Sequence, residues 1–300
     1  MLKKLVSLGF IFYVCTIVLT ACTQETVATR LNKSLFQVNR EGTKLFGYNL
    51  DLELAPTQSP NDTEITISAH GYGSNKKRGI NLAKNAPMSG QILTFNLPDY
   101  DCLDRKLKAL SHGTINEILP FLYALKTVLN AGAKRVNLYG FSAGGGVIVN
   151  ALGILNGTRF DAELTKIGIT GSDKAAMLKA VENGIVILEV PLKSMEGIIK
   201  GRGPSQELEY IARQYKENNL RPIDTLAALK GLKLHIIVYF ENPDEIIYND
   251  DDAEYIEKLE EANALGTTKV IFGNNGGHNS YHKELWDMYA ECLSAVVCRA

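Results

Sequence analysis

Gly140-Phe141-Ser142-Ala143-Gly144 is the stretch whose residue types and spacing most directly imply chemistry. A serine hydroxyl is a weak nucleophile until a base takes its proton. A glycine two residues away on either side lets the backbone turn sharply and leaves the hydroxyl exposed at the turn. The reaction such a serine serves is acyl transfer, in which N–H groups at a helix N-terminus face the oxyanion that develops. A base is needed, and the chain has five histidines, at 70, 112, 235, 278 and 282. His235 lies in an apolar run and reads as a satisfied core side chain. His112 precedes a helical pattern and reads as a cap or surface residue. His282 falls on the final helix, where a solvated face is the simplest reading. His70 opens the turn His70-Gly71-Tyr72-Gly73 and reads as structural. His278 closes the glycine-rich run Gly273-Asn274-Asn275-Gly276-Gly277-His278. Carboxylates that could orient an imidazole occur in Glu241-Asn242-Pro243-Asp244-Glu245-Ile246-Ile247. Asp250, Asp251 and Asp252 read instead as the acidic start of a helix.

The elements that must hold these residues are legible as alternating patterns. Glu64–Ala69 alternates like a strand and stops at His70-Gly71. Gln91–Asn96 and Arg135–Tyr139 are further strands, the second leading straight into Gly140. Ile185–Val190, Leu234–Phe240 and Lys269–Phe272 are near-continuous apolar strands. Helical spacing covers Ile115–Leu129, Val147–Leu155 and Tyr281–Val297. Buried strands separated by helices predict a mostly parallel central sheet covered on both faces. Residues 192 to 221 interrupt this order with Gly197, Gly201, Gly203 and Pro204 and a charged helix near Gln206–Glu217, and are expected to form a small cap insertion.

Strand–His-Gly, strand–Gly-x-Ser-x-Gly, strand–Asp and strand–Gly-Gly-His, in that order, resemble the α/β-hydrolase superfamily over about residues 45 to 297. The resemblance implies the α/β-hydrolase fold. It also implies the site: Ser142 as nucleophile and His278, on the loop after the last strand, as base. The order nucleophile, acid, base makes Asp244 the acid, with Glu241 as the second choice. The amides of Tyr72 and Ala143 would form the oxyanion hole. Neither metal nor organic cofactor is implied. The activity expected is carboxylic-ester hydrolysis on a small or lipid acyl substrate. A peptidase, thioesterase or amidase would use the same triad, and a non-catalytic envelope-anchored binding module would share the fold. Asn96-Leu97-Pro98-Asp99-Tyr100 departs from the Pro-Gly turn and aromatic that relatives often carry there.

The N-terminus is of another kind. Lys3 and Lys4 precede an uncharged apolar stretch from Leu5 to about Leu19, as in a secretory signal. Its end, Leu19-Thr20-Ala21-Cys22, resembles the lipobox of bacterial lipoproteins. That resemblance implies removal of residues 1 to 21, lipidation of Cys22 and, with Thr23 next, an outer-membrane protein facing the periplasm. Residues 22 to 44 are expected to be a polar tether. With a formal net charge of -1 and no basic run beyond Lys76-Lys77-Arg78, nothing suggests a nucleic-acid partner. Cys102, Cys292 and Cys298 allow at most one disulfide within the domain, and Cys292 and Cys298 are close enough in sequence to pair if the last helix ends between them. No cysteine spacing resembles a zinc site.

Overall fold

The computed structural model describes residues 25–58, 64–98, 111–247, 251–274, 277–279 and 282–297. The signal segment, Cys22, Asp99, Tyr100, Cys102, Asp250 and Cys298 lie outside the described residues.

A seven-stranded sheet runs in the order β1-β3-β2-β4-β5-β6-β7. The strands are β1 (Glu53–Pro56), β2 (Ile65–Ala69), β3 (Gln91–Thr94), β4 (Val136–Phe141), β5 (Val186–Glu189), β6 (His235–Glu241) and β7 (Thr267–Gly273). Only the β1–β3 pairing is antiparallel; the other five are parallel. The period of two along the strands sorts their side chains between two cores. Leu138, Val186, Leu188, Ile236 and Val238 belong to one, while Tyr139, Ile187, Ile237 and Tyr239 belong to the other.

Helices α1 (Val27–Phe46), α2 (Lys77–Asn85), α3 (Ile115–Asn130), α4 (Ala143–Asn156), α5 (Asp161–Lys166), α6 (Gly171–Glu182), α7 (Met195–Arg202), α8 (Gln206–Glu217), α9 (Asp252–Ala262) and α10 (Lys283–Val297) connect or flank the strands. The larger core takes α3, α4, α6 and α9. The smaller is closed by Leu285, Trp286 and Tyr289 of α10 with Ala86 and Met88 after α2. Every residue of α4 from Ala143 to Leu155 is buried, so the helix needs no polar face.

The antiparallel strand β1 and helices α2, α5 and α6 were not expected from the sequence. Strand β4 extends two residues beyond the stretch read, and β7 begins two residues before its stretch and ends one after it. Three further differences bear on how the site is held. The stretch read as a tether is largely α1, an amphipathic helix capped by Thr26, whose hydroxyl accepts from the Thr29 N–H, with Val27, Ala28 and Leu31 buried. Arg30 fixes it by donating to the Ala131 carbonyl at 2.6 Å. Through its middle the inward apolar residues come only about once per turn (Leu31, Leu35, Val38), which hides the pattern among polar neighbours. Second, α4 begins at Ala143 rather than Val147, because Gly144, Gly145 and Gly146 are helical residues chosen for close approach. A Cβ on Gly144 would stand 2.1 Å from the Ala69 carbonyl oxygen, and one on Gly145 would stand 2.8 Å from Pro191 Cβ. Third, residues 192–221 hold two helices, α7 and α8, rather than one. Cys292 is a free, half-buried thiol within α10, which continues to Val297.

Candidate active site

The site is built where β2, β4, β6 and β7 end. At the β4–α4 junction Ser142 adopts φ 54° and ψ −119°, a sparsely populated conformation for a residue with a side chain. Both of its backbone polar groups are tied. The Ser142 N–H donates to the Glu189 carbonyl at 3.0 Å, and its carbonyl accepts from Leu192 at 2.8 Å and Gly145 at 2.9 Å. These bonds to the end of β5 hold a turn that costs roughly 1–3 kcal/mol in isolation. A Cβ on Gly140 would come within 2.7 Å of the Gly144 carbonyl oxygen, so the tightness of the turn requires glycine there.

The His-Gly loop follows β2 and lies against this turn. A Cβ on Gly71 would meet the Phe141 ring at 2.9 Å and Ser142 Cβ at 3.1 Å, so the loop backbone is in contact with the serine. His70 is buried; its Nε2 accepts from the Leu97 N–H at 2.9 Å, which leaves Nδ1 to donate to the Gly71 carbonyl at 2.8 Å. The imidazole therefore shapes the loop as a neutral tautomer. Tyr72 and Ala143 line the same cavity as Ser142. Ala143 is the first residue of α4, so its N–H has no partner within the helix.

His278 is brought to the cavity by the loop after β7. Its Nδ1 donates to Asp244 Oδ2 at 2.8 Å, and its ring centroid is 5.0 Å from that of Phe141. Asp244 Oδ1 accepts from the amides of Ile246 at 2.7 Å and Ile247 at 2.8 Å. Burial alone would push the Asp244 carboxyl up, but the His278 hydrogen bond and charge and the two amides hold it below the usual carboxylate range. Ser142 and His278 share the cavity wall without a hydrogen bond between their side chains among the described contacts. Such bonds are often long before substrate binds. The cavity measures about 430 Å³ and is completed by α7 and α8, which contribute Met195, Ile198, Leu208 and Ile211. Tyr72 also donates its hydroxyl to Glu207 of α8 at 2.7 Å, joining the His-Gly loop to this segment.

Glu241 does not reach His278. Its Oε1 accepts from the Gly277 N–H at 3.3 Å and its Oε2 from the Tyr239 hydroxyl at 2.6 Å. It supports the loop on which the histidine sits. Glu245 does the same from the other side, accepting the His278 N–H at 2.9 Å.

Several side chains have roles that the sequence reading assigned otherwise. His282 has no solvated face: it precedes α10, is wholly buried, stacks on Tyr239 at 4.2 Å and donates to Glu189 at 2.8 Å. His112 is likewise buried, bonded to Glu117 at 2.8 Å and 5.0 Å from the Tyr72 ring. His235 is half-exposed at the start of β6, bonded to Thr267, rather than in the core. Asp251 and Asp252 open α9 as expected, yet Asp252 also neutralises the buried Lys193, and Asp251 accepts from Ser194 at 2.7 Å.

Glu189, the last residue of β5, is the group that sequence reading missed. Its buried carboxylate takes Arg78 at 3.1 Å, His282 at 2.8 Å and the Tyr139 hydroxyl. Burial opposes its ionisation, but the His282 hydrogen bond and the Arg78 charge hold its pKa low. A lone carboxylate in the apolar run Ile185–Val190 was the available signal, since a buried acid is seldom without a partner.

No protein-family model matches the chain, and no curated protein matches its sequence. Solved structures do match in shape. A carboxylesterase from Lactobacillus plantarum superposes with a TM-score of 0.58 at 12% identity, over 84% of this chain and 93% of that one. Esterase B from Lactobacillus rhamnosis gives 0.52 at 15% identity, over 91% and 97%. An acylaminoacyl peptidase from Pyrococcus horikoshii gives 0.52 at 13% identity, over 77% of this chain but only 35% of that one. With the sheet order above, these place the chain in the α/β-hydrolase fold.

Proposed function

We propose that this α/β-hydrolase-fold chain is a serine hydrolase that cleaves carboxylic esters through an acyl-enzyme on Ser142. One observation carries the reading: Ser142 is held at a left-handed backbone angle on the wall it shares with His278, whose far nitrogen is bonded to Asp244. Such strain is kept where it aims a side chain. In the first step His278 takes the hydroxyl proton as Ser142 Oγ attacks the acyl carbon. The Tyr72 and Ala143 amides receive the oxyanion, and the ionised Asp244 stabilises the imidazolium. His278 then returns the proton to the departing alcohol, and water releases the acyl group by the same route in reverse.

Two facts favour an ester over a peptide. The esterases above match along nearly their whole length, whereas the peptidase matches over about a third. No carboxylate is among the described residues lining the cavity, so nothing there would pair with the free amino terminus of a peptide. The lipobox resemblance supports a further part of the proposal, that Cys22 carries a lipid anchor in the bacterial outer membrane. Labelling with a fluorophosphonate tests the enzyme: Ser142→Ala should abolish it, and labelling that persists in this variant would rule Ser142 out as the nucleophile. A chain-length series of esters beside aminopeptidase substrates then separates the acyl classes.

A further inference from the structure

Two parts of the cavity lining differ in character. Leu192, Met195, Ile198, Leu208 and Ile211 make one part apolar. Ser74, Asn75, Arg78 and Asn279 make another part of the lining polar, and these four residues also line a second chamber of about 380 Å³ that carries Lys77, Asn81 and Asn85. The chambers therefore adjoin through Arg78 and its polar neighbours.

Arg78 is placed to act on a substrate rather than merely to neutralise Glu189. Its guanidinium carbon lies 3.1 Å from the ring centroid of Phe141, the residue before Ser142, and the other ring near Phe141 is that of His278. That contact fixes the plane of the guanidinium beside the reacting groups. One Nη donates to Glu189 at 3.1 Å and Nε is buried, while about a quarter of the side chain remains exposed, at 23%. A guanidinium carries five N–H donors in a rigid fork suited to a carboxylate, so the pair with Glu189 does not exhaust it. The first cavity has two charged residues on its described wall, Arg78 and Arg202, both cationic. The second chamber is lined by two cations, Lys77 and Arg78, and by the single carboxylate of Glu189, which is shared with Arg78 and His282. A concave site of this kind carries a positive field.

We infer that Arg78 is the specificity residue of this site, recognising a carboxylate on the alcohol portion of the ester while the apolar acyl group lies against α7 and α8. The inference rests on the ester reading and leaves its chemistry unchanged. The Ser142 Oγ–carbon bond forms, the ester C–O bond breaks, and the alcohol that carries the anion leaves through the second chamber with the proton from His278.

The test compares butyrate esters of 4-hydroxybenzoate and of 4-hydroxybenzamide, near-isosteric alcohols of which only the first is charged and neither carries a second ester. The full chain should favour the carboxylate by roughly tenfold or more in kcat/KM, the size of one charge-assisted hydrogen bond. Arg78→Gln should bring the ratio near one, and Arg78→Lys should keep part of it. A ratio within one preparation is independent of the fraction that folds. Because Arg78→Gln removes one of the charged partners of Glu189, the double variant Arg78→Gln/Glu189→Gln repeats the measurement with neither charge present. An equal rate on both esters, or a preference that survives Arg78→Gln, overturns the inference and leaves the ester reading standing. A preference for a carboxylate on the acyl side, read from monophenyl succinate against phenyl butyrate, overturns the placement. Protection of Ser142 from the fluorophosphonate by 4-hydroxybenzoate but not by 4-hydroxybenzamide would support Arg78 recognition even if neither ester were cleaved, and that pattern would defeat the ester reading alone.

Discussion

At the scale of single residues, the two acids near His278 divide their work by geometry. Asp244 receives the imidazole N–H and two backbone amides, whereas Glu241 receives the Gly277 amide and the Tyr239 hydroxyl. Asp244→Asn is therefore expected to lower kcat by about a hundredfold or more, through loss of imidazole orientation. Glu241→Gln should cost much less, and esterase kinetics on the two variants that gave the reverse order would reassign the acid. His282 offers a second check. Burial would lower its pKa, but the Glu189 carboxylate, the Gly277 carbonyl and Glu241 raise it above the ordinary histidine value. A raised pKa means that its contribution to stability is complete below about pH 6.5 and is lost as pH rises through the folded value. Denaturant unfolding should accordingly show His282→Gln trailing the wild type by more at pH 6 than at pH 9. Of these candidate residues, Ser142, Asp244 and His278 were legible because each follows a strand within a short motif. His282 and Glu189 were not, since their meaning is a contact between β5 and the start of α10, 93 residues apart.

At the scale of elements, the glycine run after Ser142 is what lets α4 lie against β2. In Gly144→Ala the new methyl would collide with the backbone oxygen of Ala69, which no side-chain rotation relieves. Overpacking of this sort should cost about 3 kcal/mol. Because Ala69 precedes the His-Gly loop, activity should fall further than the folded fraction does. Thermal melts read beside fluorophosphonate labelling would show it, and a variant with unchanged stability would contradict the contact. The same run explains why the sequence placed the start of α4 too late. Glycine has low helix propensity, and here packing overrides it. The strands were read nearly to their ends because both faces of β4 and β5 are buried, which makes their runs continuously apolar. The helix α1 escaped notice because it contributes a narrow stripe and is otherwise polar.

At the scale of the whole molecule, α1 alters how the proposed anchor would hold the enzyme. With residues 27 to 46 folded onto the domain, four residues separate Cys22 from the helix. Fully extended they span roughly 15 Å, against several times that for the tether read from sequence. A lipidated chain would therefore carry its catalytic domain close to the headgroups. Cys22→Ser is expected to abolish incorporation of labelled fatty acid and release the protein from the membrane fraction while fluorophosphonate labelling persists. Membrane association that survived this substitution would refute the anchor.

Glu189 has one further consequence, for how the protein can change over generations. Its carbonyl fixes the Ser142 turn, while its carboxylate fixes Arg78 and the histidine before α10. The carboxylate thus answers to three partners, those two and the Tyr139 hydroxyl, and a side chain that suits one fails the others. The apolar residues of α7 and α8 line the cavity and also pack in the larger core, where one apolar side chain can replace another of similar volume. Proteins that share this site should therefore vary more at Met195, Ile198, Leu208 and Ile211 than at Glu189.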